Sequence, residues 1–270
     1  MSIKFKEEPI LKNDIPSFSH QESFEEHWNV NEPVVIPEQK LNVAESFLQP
    51  ALDLLNEGNK NVLDAGCGNG VHLKLLREKS LNQKNKVFGL DISLSVLSKI
   101  QRLFPSCRLI HADVSDLPFE QEQFDITFSY GVLAYTPDPF KAFREVVRVT
   151  KPGGLIGLWM YPQKSWFQQF LFNSVRKTTN ALGHRGTIFL ADLIVPFLGI
   201  LPTSSGLSLR NASWKACREV VLVNISPSTL YFPTSSEILD WCANCNLQVV
   251  HIDRENPITI WGQKQNRFDA

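Results

Sequence analysis

The sequence predicts an α/β fold: a doubly wound, mostly parallel seven-stranded sheet with a C-terminal antiparallel hairpin, plus a mainly helical insertion after the fifth strand. Three observations support this prediction. Strand and helix patterns alternate from about residue 60 to 160, which is typical of a parallel sheet with helices on both faces. Two later strand patterns are separated only by residues 254–257, too few for a parallel crossover. An aromatic-rich stretch, 161–233, interrupts the alternation.

The composition is that of a folded globular protein. The chain has 270 residues, of which 43% are hydrophobic and 20% charged, enough to bury a substantial core. The formal net charge of −1 provides no basic excess, so nucleic acid is not an expected partner. Five irregularly spaced cysteines predict reduced thiols, and the N-terminus lacks the apolar region of a secretory signal. Both features favour a cytoplasmic location.

The first part of the chain, residues 1–59, is polar with scattered prolines, and we interpret it as an N-terminal helical segment. Ser23 is a suitable N-cap for a helix over 24–28, because its hydroxyl can accept one of the first free N–H groups. Apolar residues recur with helical spacing between Val43 and Leu55, which predicts a second helix.

The α/β core is predicted to comprise residues 60–160 and 234–264. Short apolar segments define its strands, and amphipathic segments between them define its helices. The predicted strands are 61–65, 86–90, 108–111, 124–129, 155–160, 248–253 and 258–262, and the predicted helices are 71–78, 94–103, 139–149 and 235–245.

The part between these two core segments, 161–233, predicts a mainly helical insertion. Its many aromatic residues favour an enclosed, mostly apolar pocket for a small molecule. Its most apolar stretch, 187–201, is short for a bilayer crossing and is interrupted by Asp192 and Pro196, so no transmembrane segment is predicted. The alternative is that 188–201 rests on a membrane surface, which suits a lipidic acceptor.

A glycine-rich turn, 64–70, stands where the first core strand passes into a helix and reads Asp-Ala-Gly-Cys-Gly-Asn-Gly. Glycines permit positive φ and let a ligand approach the backbone. The nicotinamide fingerprint G-x-G-x-x-G, counted from Gly66, needs a glycine where this chain has Val71. A dinucleotide also needs a helix N-terminus aimed at its pyrophosphate, whereas the acidic Asp64 suits a cationic ligand.

Two more acids follow at successive strand ends. Asp91 ends the second core strand, where nucleotide-binding sheets place an acid that accepts ribose hydroxyl hydrogens. Asp113 follows the third strand. Either aspartate alone could be a helix cap. The turn and both acids in order favour a cofactor site.

These motifs together resemble the class I S-adenosylmethionine-dependent methyltransferases. The D-x-G-x-G-x-G pattern of 64–70 resembles the family's motif I, 124–133 resembles motif IV, and 151–155 resembles the turn before its fifth strand. A mostly parallel sheet ending in an antiparallel hairpin is also the family's topology. The resemblance covers about 60–160 and 235–263, and it does not extend to the insertion.

The resemblance implies S-adenosylmethionine as the cofactor and a fold like that of small-molecule methyltransferases. It also implies that the insertion, 161–233, lies above the cofactor as a substrate cap. It also implies that the Asp113 side chain takes the adenine amino group. The residues expected to bind the cofactor are Asp64, Gly66, Cys67, Gly68, Asn69, Gly70, Asp91, Ile92, Ala112, Asp113, Val114, Ser129 and Tyr130.

Three residues are candidates for catalysis. Methyl transfer is an in-line displacement with a neutral leaving group, so positioning matters most and a base only for a protonated acceptor. Tyr135 lies just past the fourth strand, where many relatives carry histidines that this chain lacks. His27 belongs to a Ser-Phe-x-x-x-Trp segment similar to a family lid, which implies that residues 1–59 are an N-terminal helical lid segment. His184 lies beside Arg185 in the insertion. The alternatives are that Tyr135 is a half-buried structural tyrosine, that His27 only packs against its neighbours, and that His184 lies in a solvated loop.

The predicted function is methyl transfer from S-adenosylmethionine to an oxygen or nitrogen atom of a small or medium organic metabolite. The alternatives are a non-catalytic methyltransferase-like binding module and a protein or RNA methyltransferase. Residues 129–132 read Ser-Tyr-Gly-Val rather than N/D-P-P-Y, which disfavours a base-flipping enzyme. Cys242 and Cys245 have no second cysteine pair to complete a zinc site, so no metal is predicted.

Overall fold

A computed structural model describes residues 3–18, 38–80, 84–161, 166–197, 214, 217–218, 221–222, 230–254 and 257–266. The helices are α1 (Glu38–Leu48), α2 (Leu52–Asn56), α3 (Val71–Ser80), α4 (Leu94–Leu103), α5 (Pro139–Val149), α6 (Trp166–Ile194) and α7 (Ser235–Asn244). The strands are β1 (Ile10–Lys12), β2 (Ile15–Ser17), β3 (Asn61–Ala65), β4 (Lys86–Asp91), β5 (Arg108–His111), β6 (Phe124–Tyr130), β7 (Thr150–Met160), β8 (Leu247–Asp253) and β9 (Ile258–Lys264).

The strands form one sheet in the order β1-β2-β5-β4-β3-β6-β7-β9-β8. The strands from β5 to β7 pair in parallel, whereas β9 runs antiparallel to both β7 and β8. The predicted parallel sheet with a C-terminal antiparallel hairpin is therefore confirmed. The chain proceeds from β3 to β4 and β5 on one side and then to β6 and β7 on the other. The carboxyl end of β3 thus lies where the strand order reverses, the position at which open α/β sheets bind ligands.

Within the described residues, the sheet has nine strands rather than the predicted seven, because an N-terminal hairpin extends it. β1 and β2 pair antiparallel through Asn13 and Asp14, whose φ angles of 51° and 61° are those of a two-residue hairpin turn. β2 joins the edge of the sheet where Ser17 pairs with His111, and the Ser17 hydroxyl lies 2.8 Å from His111 Nδ1. The expectation that residues 1–59 are helical was therefore wrong for 10–17.

The second predicted N-terminal helix is confirmed, while the first, 24–28, lies outside the described residues. α1 continues through a 3₁₀ turn into α2 and buries Phe47 and Leu55, as the helical spacing of apolar residues predicts. The fully buried Trp261 of β9 donates its indole N–H to the Phe47 carbonyl at 2.9 Å. This bond joins the last strand of the chain to the N-terminal helix.

The segment predicted as a turn before the fifth strand is part of β7. Thr150 pairs with Phe124, but the next paired residue, Leu155, faces Ile126, so residues 151–154 form a bulge. Pro152 lacks an N–H to donate to a ladder, and Gly153 has a φ of +75°, so the sequence suits this irregularity.

The helical character predicted for the insertion is found in α6. The Thr187 hydroxyl donates to the Thr179 carbonyl at 3.2 Å. Because residues eight apart in a straight helix are separated by about 12 Å, this helix bends between them. Phe189 and Leu193 lie one turn apart and are exposed, and the membrane-surface alternative for 188–201 stays a hypothesis. None of the described helices combines the length and the apolar character needed to cross a bilayer.

Candidate functional site

The glycine turn that follows β3 is held by hydrogen bonds to the end of β4. The N–H groups of Gly66 and Cys67 both donate to the Leu90 carbonyl at 2.8 Å, and the Gly70 N–H donates to the Cys67 carbonyl at 2.9 Å. The Gly68 N–H donates to Asp91 Oδ2 at 2.9 Å. These four donors are used within the protein, whereas a pyrophosphate site presents its N–H groups to the ligand. The turn therefore suits a ligand without phosphate.

Gly66 is in close contact with the loop that follows β6. Its φ is +97°, and a Cβ added there would lie 2.3 Å from Cγ2 of Val132. The Ser129 hydroxyl, at the end of β6, donates to the Ala65 carbonyl at 2.8 Å. The turn and the β6 loop are therefore packed as one unit, and only glycine fits at position 66.

The two acids predicted at strand ends lie at the carboxyl ends of β4 and β5, next to β3. Asp91 is buried, and its second carboxylate oxygen accepts the Ser93 N–H at 3.0 Å. Burial raises the pKa of Asp91, and the N–H groups of Ser93 and Gly68 oppose that rise. Asp113 is partly exposed, and its Oδ1 accepts the Ser115 N–H at 2.7 Å. Both side chains keep further lone pairs with which to accept hydrogen bonds.

Asp64 lies beneath the turn with a histidine that the sequence analysis missed. Among the described residues, neither oxygen of the fully buried Asp64 carboxyl has a hydrogen-bond partner. Burial raises the pKa of Asp64 well above its ordinary value, and the nearby Asp91 raises it further. Burial lowers the pKa of His72, on the first turn of α3, to about 4. The separation of 4.0 Å between His72 Nδ1 and Asp64 Oδ2 exceeds a hydrogen bond. With a pKa of about 4, His72 is uncharged at pH 7.

A row of aromatic rings leads from this pair along the ends of β6 and β7. The His72 ring lies 4.8 Å from the Tyr130 ring, and Tyr130 stacks on Trp159 at 4.5 Å. Trp159 meets Tyr161 edge to face at 4.8 Å. The carboxyl edge of the sheet is therefore lined by aromatic surface beside the glycine turn.

The remaining predicted cofactor residues lie near this edge. Ala112 and Val114 are buried after β5, and the Ala112 N–H donates to the Asp91 carbonyl at 3.1 Å. Ile92 is partly buried after β4, and its carbonyl lies 3.0 Å from His111 Nε2. Asn69 is partly exposed within the turn.

Of the three catalytic candidates, only Tyr135 has a described side chain. It belongs to a 3₁₀ turn, Leu133–Tyr135, and its hydroxyl donates to the Tyr161 hydroxyl at 3.2 Å. His27 lies outside the described residues. His184 lies within α6 rather than in the loop considered as its alternative. Burial and the neighbouring Tyr161 raise the pKa of Tyr135, so its hydroxyl is a hydrogen-bond donor rather than a base at neutral pH.

The described residues also form an open depression of about 580 Å³ between α1 and β8, lined by Ser46, Gln49, Pro50, Val250 and His251. It lies beside the middle of an edge strand and includes none of the residues at the strand ends. Part of the insertion, 198–213, lies outside the described residues, so the apolar acceptor pocket beneath it stays a prediction.

The core of the chain is similar to a known protein family. Residues 63–158 match the family model described as a methyltransferase domain. This match begins in β3 and ends in β7, so it includes the turn and both acids.

Residues 63–158 form a class I S-adenosylmethionine-dependent methyltransferase domain.

Individual relatives of this methyltransferase domain agree with the assignment. The malonyl-[acyl-carrier protein] O-methyltransferase of Buchnera aphidicola is 32% identical over 123 residues, which cover 46% of this chain and 47% of that protein. The demethylmenaquinone methyltransferase of Renibacterium salmoninarum is 30% identical over 144 residues, covering 50% and 59%. The chain therefore matches about half the length of these curated relatives. An S-adenosylmethionine-dependent methyltransferase from Mesorhizobium loti has a similar fold, with a TM-score of 0.51, 17% identity, and coverage of 81% and 98%.

The site fits S-adenosylmethionine, the methyl donor that this family implies. Asp64 provides two buried carboxylate oxygens without hydrogen-bond partners among the described residues, which suits a ligand carrying an ammonium and a sulfonium. The four N–H groups of the turn already donate within the protein, which is consistent with a cofactor that has no phosphate. The residues present thus match the charge of this cofactor.

Replacing His72 by phenylalanine is expected to reduce the loss of stability in acid. The unfolded chain takes up this proton near pH 6.5, but folded His72 takes it up only near pH 4, so folding is penalised as pH falls between these values. The difference of 2.5 pKa units corresponds to about 3 kcal/mol. Urea unfolding at pH 7, 6, 5 and 4.5 measures how the free energy of unfolding changes over this range. If the free energy of unfolding depends on pH equally in wild type and His72→Phe, the lowered pKa of His72 is contradicted. The control is His251→Gln, which replaces an exposed histidine and should behave as wild type.

Proposed function

We propose that this chain transfers a methyl group from S-adenosylmethionine to an oxygen or nitrogen atom of a small or medium organic acceptor. The observation that carries the proposal is the glycine turn with three acids, Asp64, Asp91 and Asp113, at the carboxyl ends of three adjacent parallel strands. This constellation lies where the strand order reverses, and it falls within the segment that matches the methyltransferase model.

Each part of the turn region has an assigned role in cofactor binding. Asp91 accepts the ribose hydroxyl hydrogens, because a buried carboxylate anchored by two backbone N–H groups keeps free lone pairs. Asp113 accepts the adenine amino hydrogens, with Ile92, Ala112 and Val114 around the ring. Asp64 compensates the cationic end of the cofactor. The remaining contacts are assigned to the turn itself and the end of β6, namely Gly66, Cys67, Gly68, Asn69, Gly70, Ser129 and Tyr130.

The chemistry requires little proton transfer from the protein. Bound S-adenosylmethionine supplies an electrophilic methyl carbon on a sulfonium. The chain's own contribution is to orient the acceptor and exclude water, which in favourable cases lowers a barrier by about 7–11 kcal/mol. We assign Tyr135 to orient the acceptor through its hydroxyl. His27 and His184 stay candidates for a base where the acceptor is protonated.

The acceptor is a metabolite held beneath the insertion. The insertion leaves the core after Tyr161 and rejoins it at Tyr231, whose N–H donates to the Ala134 carbonyl at 2.8 Å. Both ends of the insertion therefore adjoin the β6 loop, which favours a cap over the site. The names of two relatives, a malonyl-[acyl-carrier protein] O-methyltransferase and a demethylmenaquinone methyltransferase, support metabolite chemistry.

Calorimetry with S-adenosylhomocysteine tests the proposal. The wild type is expected to bind it, and Asp113→Ala is expected to weaken binding about tenfold or more through one lost charge-assisted hydrogen bond. Asp116→Ala, which removes an exposed carboxylate nearby, is the matched control and should bind normally. Absence of binding by the wild type would overturn the proposal. Binding without turnover of any small acceptor, protein or RNA would favour a non-catalytic module.

A further inference from the structure

Two buried carboxyl groups on neighbouring strands at the glycine turn differ in their hydrogen bonds. Asp91 accepts the N–H groups of Gly68 at 2.9 Å and Ser93 at 3.0 Å. Asp64 is 0% exposed, and neither of its oxygens accepts a hydrogen bond from any residue that the structure describes. A carboxylate buried without donors is costly, because nothing replaces the water that it loses. The protein therefore supports the ionised form of Asp91 but not that of Asp64.

His72 lies beside the Asp64 carboxyl and has a buried polar atom of its own unused. Its Nδ1 is 4.0 Å from Asp64 Oδ2, and its Nε2 has no hydrogen-bond partner among the described residues. Three aromatic rings surround the imidazole at centroid distances of 4.8, 5.3 and 5.5 Å, those of Tyr130, Phe128 and Phe47. A shift of about 1 Å would bring Nδ1 within hydrogen-bond distance of the carboxyl.

Among the described residues, the titratable groups packed around this pair bring Asp64 no positive charge. With His72 itself on α3, they are Cys67 in the turn, Asp91 on β4, Cys107 before β5 and Tyr130 on β6. Burial lowers the pKa of His72 to about 4 and raises that of Cys107 to about 11 and that of Tyr130 to about 12, so these groups are uncharged at neutral pH. Burial also raises the pKa of Cys67, and Asp91 is an acid that adds repulsion. Arg77, also on α3, lies over the Phe104 ring at 5.6 Å.

The cofactor would bring the charge that this environment lacks. The amino-acid end of S-adenosylmethionine, like that of S-adenosylhomocysteine, carries an ammonium. A positive charge near a buried carboxyl favours its ionised form, so it promotes loss of a proton from Asp64. By linkage, a carboxyl that gives up a proton on binding makes affinity rise with pH. Cofactor binding and the ionisation of Asp64 are then coupled.

We propose that Asp64 is a protonated carboxylic acid in the cofactor-free protein near pH 6, and that it releases this proton when the cofactor binds. The O–H bond of Asp64 breaks, the proton passes to the buffer, and the ammonium of the cofactor balances the negative charge left on the carboxylate. His72 is the positioning residue, whose Nδ1–H donates to the carboxylate once it has formed. The inference rests on the proposed function, because it describes how the same site takes up its cofactor.

Calorimetry in buffers of different ionisation enthalpy counts the protons released. The full chain is titrated with S-adenosylhomocysteine at pH 6 in phosphate, MES and imidazole, and the observed enthalpy is plotted against the ionisation enthalpy of the buffer. A slope of about one released proton is expected, and affinity should rise about tenfold between pH 5.5 and 6.5. Because the pKa of His72 is about 4, the imidazole is not the source of this proton.

Asp64→Asn keeps the shape of the side chain and removes its proton. This variant should bind about tenfold or more weakly, release no proton, and have the same affinity at pH 5.5 and 6.5. Asp116→Asn, which changes an exposed carboxyl, is the matched control and should release the proton as wild type does. A proton still released by Asp64→Asn would belong to another group and would refute the proposal.

The role of His72 is tested through its dependence on Asp64. His72→Phe should weaken binding about tenfold in the wild-type background but about twofold or less in Asp64→Asn, because it acts through the carboxylate. His72→Asn, whose short amide can donate from near the position of Nδ1, should restore most of the affinity. Equal weakening by His72→Phe in both backgrounds would show a merely structural role and would overturn the positioning assignment.

Failure of this proton linkage is distinguishable from failure of the proposed function. Wild type that binds S-adenosylhomocysteine without releasing a proton at pH 5.5, 6 and 6.5 would disprove the linkage and leave the function intact. This measurement needs no variant, so it decides the question even if Asp64→Asn fails to fold. Wild type that does not bind the compound at all would instead overturn the function.

Discussion

Gly66→Ala is expected to destabilise the fold by more than about 2 kcal/mol and to abolish cofactor binding. A φ of +97° costs a residue with a side chain about 1–3 kcal/mol. The new Cβ would also lie 2.3 Å from Val132 Cγ2, and such overpacking typically adds about 1–3 kcal/mol. The turn can relieve this overlap only by moving away from the β6 loop. Urea unfolding and calorimetry with S-adenosylhomocysteine measure the two effects.

The chain offers a matched control for the backbone part of this effect. Gly153 also has a positive φ, +75°, but a Cβ added there would have nothing within 4 Å. Gly153→Ala should therefore show the conformational cost alone, about 1–3 kcal/mol, and bind cofactor normally. Val132→Ala combined with Gly66→Ala should recover part of the stability, because the overlapping methyl groups are gone. Equal effects of the two glycine substitutions, or no recovery, would contradict the close packing at position 66.

Asp91→Ala is expected to weaken S-adenosylhomocysteine binding by about 100-fold to 10,000-fold. Each of the two charge-assisted hydrogen bonds assigned to the ribose contributes about 1.5–3 kcal/mol to binding. Each 1.4 kcal/mol corresponds to about a tenfold change in affinity. The variant also removes the acceptor of the Gly68 and Ser93 N–H groups, so the turn loses an anchor. Calorimetry with wild type and variant measures the difference.

A cofactor analogue separates the ribose contact from the turn anchor. The 2′-deoxy derivative of S-adenosylhomocysteine should bind the wild type more weakly than the parent compound. In Asp91→Ala the two should bind alike, because the acceptor of that hydroxyl is gone and the losses do not add. If deoxygenation weakens binding equally in both proteins, Asp91 acts on the turn and not on the ribose.

The core of the site could be predicted from the sequence because its signals are local. Asp64, Asp91 and Asp113 each follow an apolar strand within a few residues, and parallel strands bring their carboxyl ends to one edge. His72 follows the last glycine of the turn by two positions, so its place on the first turn of α3 was also available. The burial of His72 could not be predicted, because it depends on Phe47. Phe47 lies on α1, far back in the chain, and its ring centroid is 5.5 Å from that of His72.

The acceptor side could not be predicted in the same way. Arg176 is one of several cations in the insertion, and no local pattern distinguishes it from Arg185, which the sequence analysis considered. Its electrostatic interaction with Tyr135 requires α6 to fold back towards the β6 loop. Such contacts depend on packing between segments rather than on spacing within one.

By itself, the sequence determined the alternation of strands and helices, the antiparallel hairpin and the order of the glycine turn and its acids. Each is encoded in residues close together along the chain, where periodicity and connection length limit the structures available. Only the tertiary structure decided that β1 and β2 extend the sheet, that the Gly66 turn packs against Val132, and that Asp64 and His72 are buried together. These features arise from contacts between distant segments, whose energies depend on burial and shape that no single segment specifies.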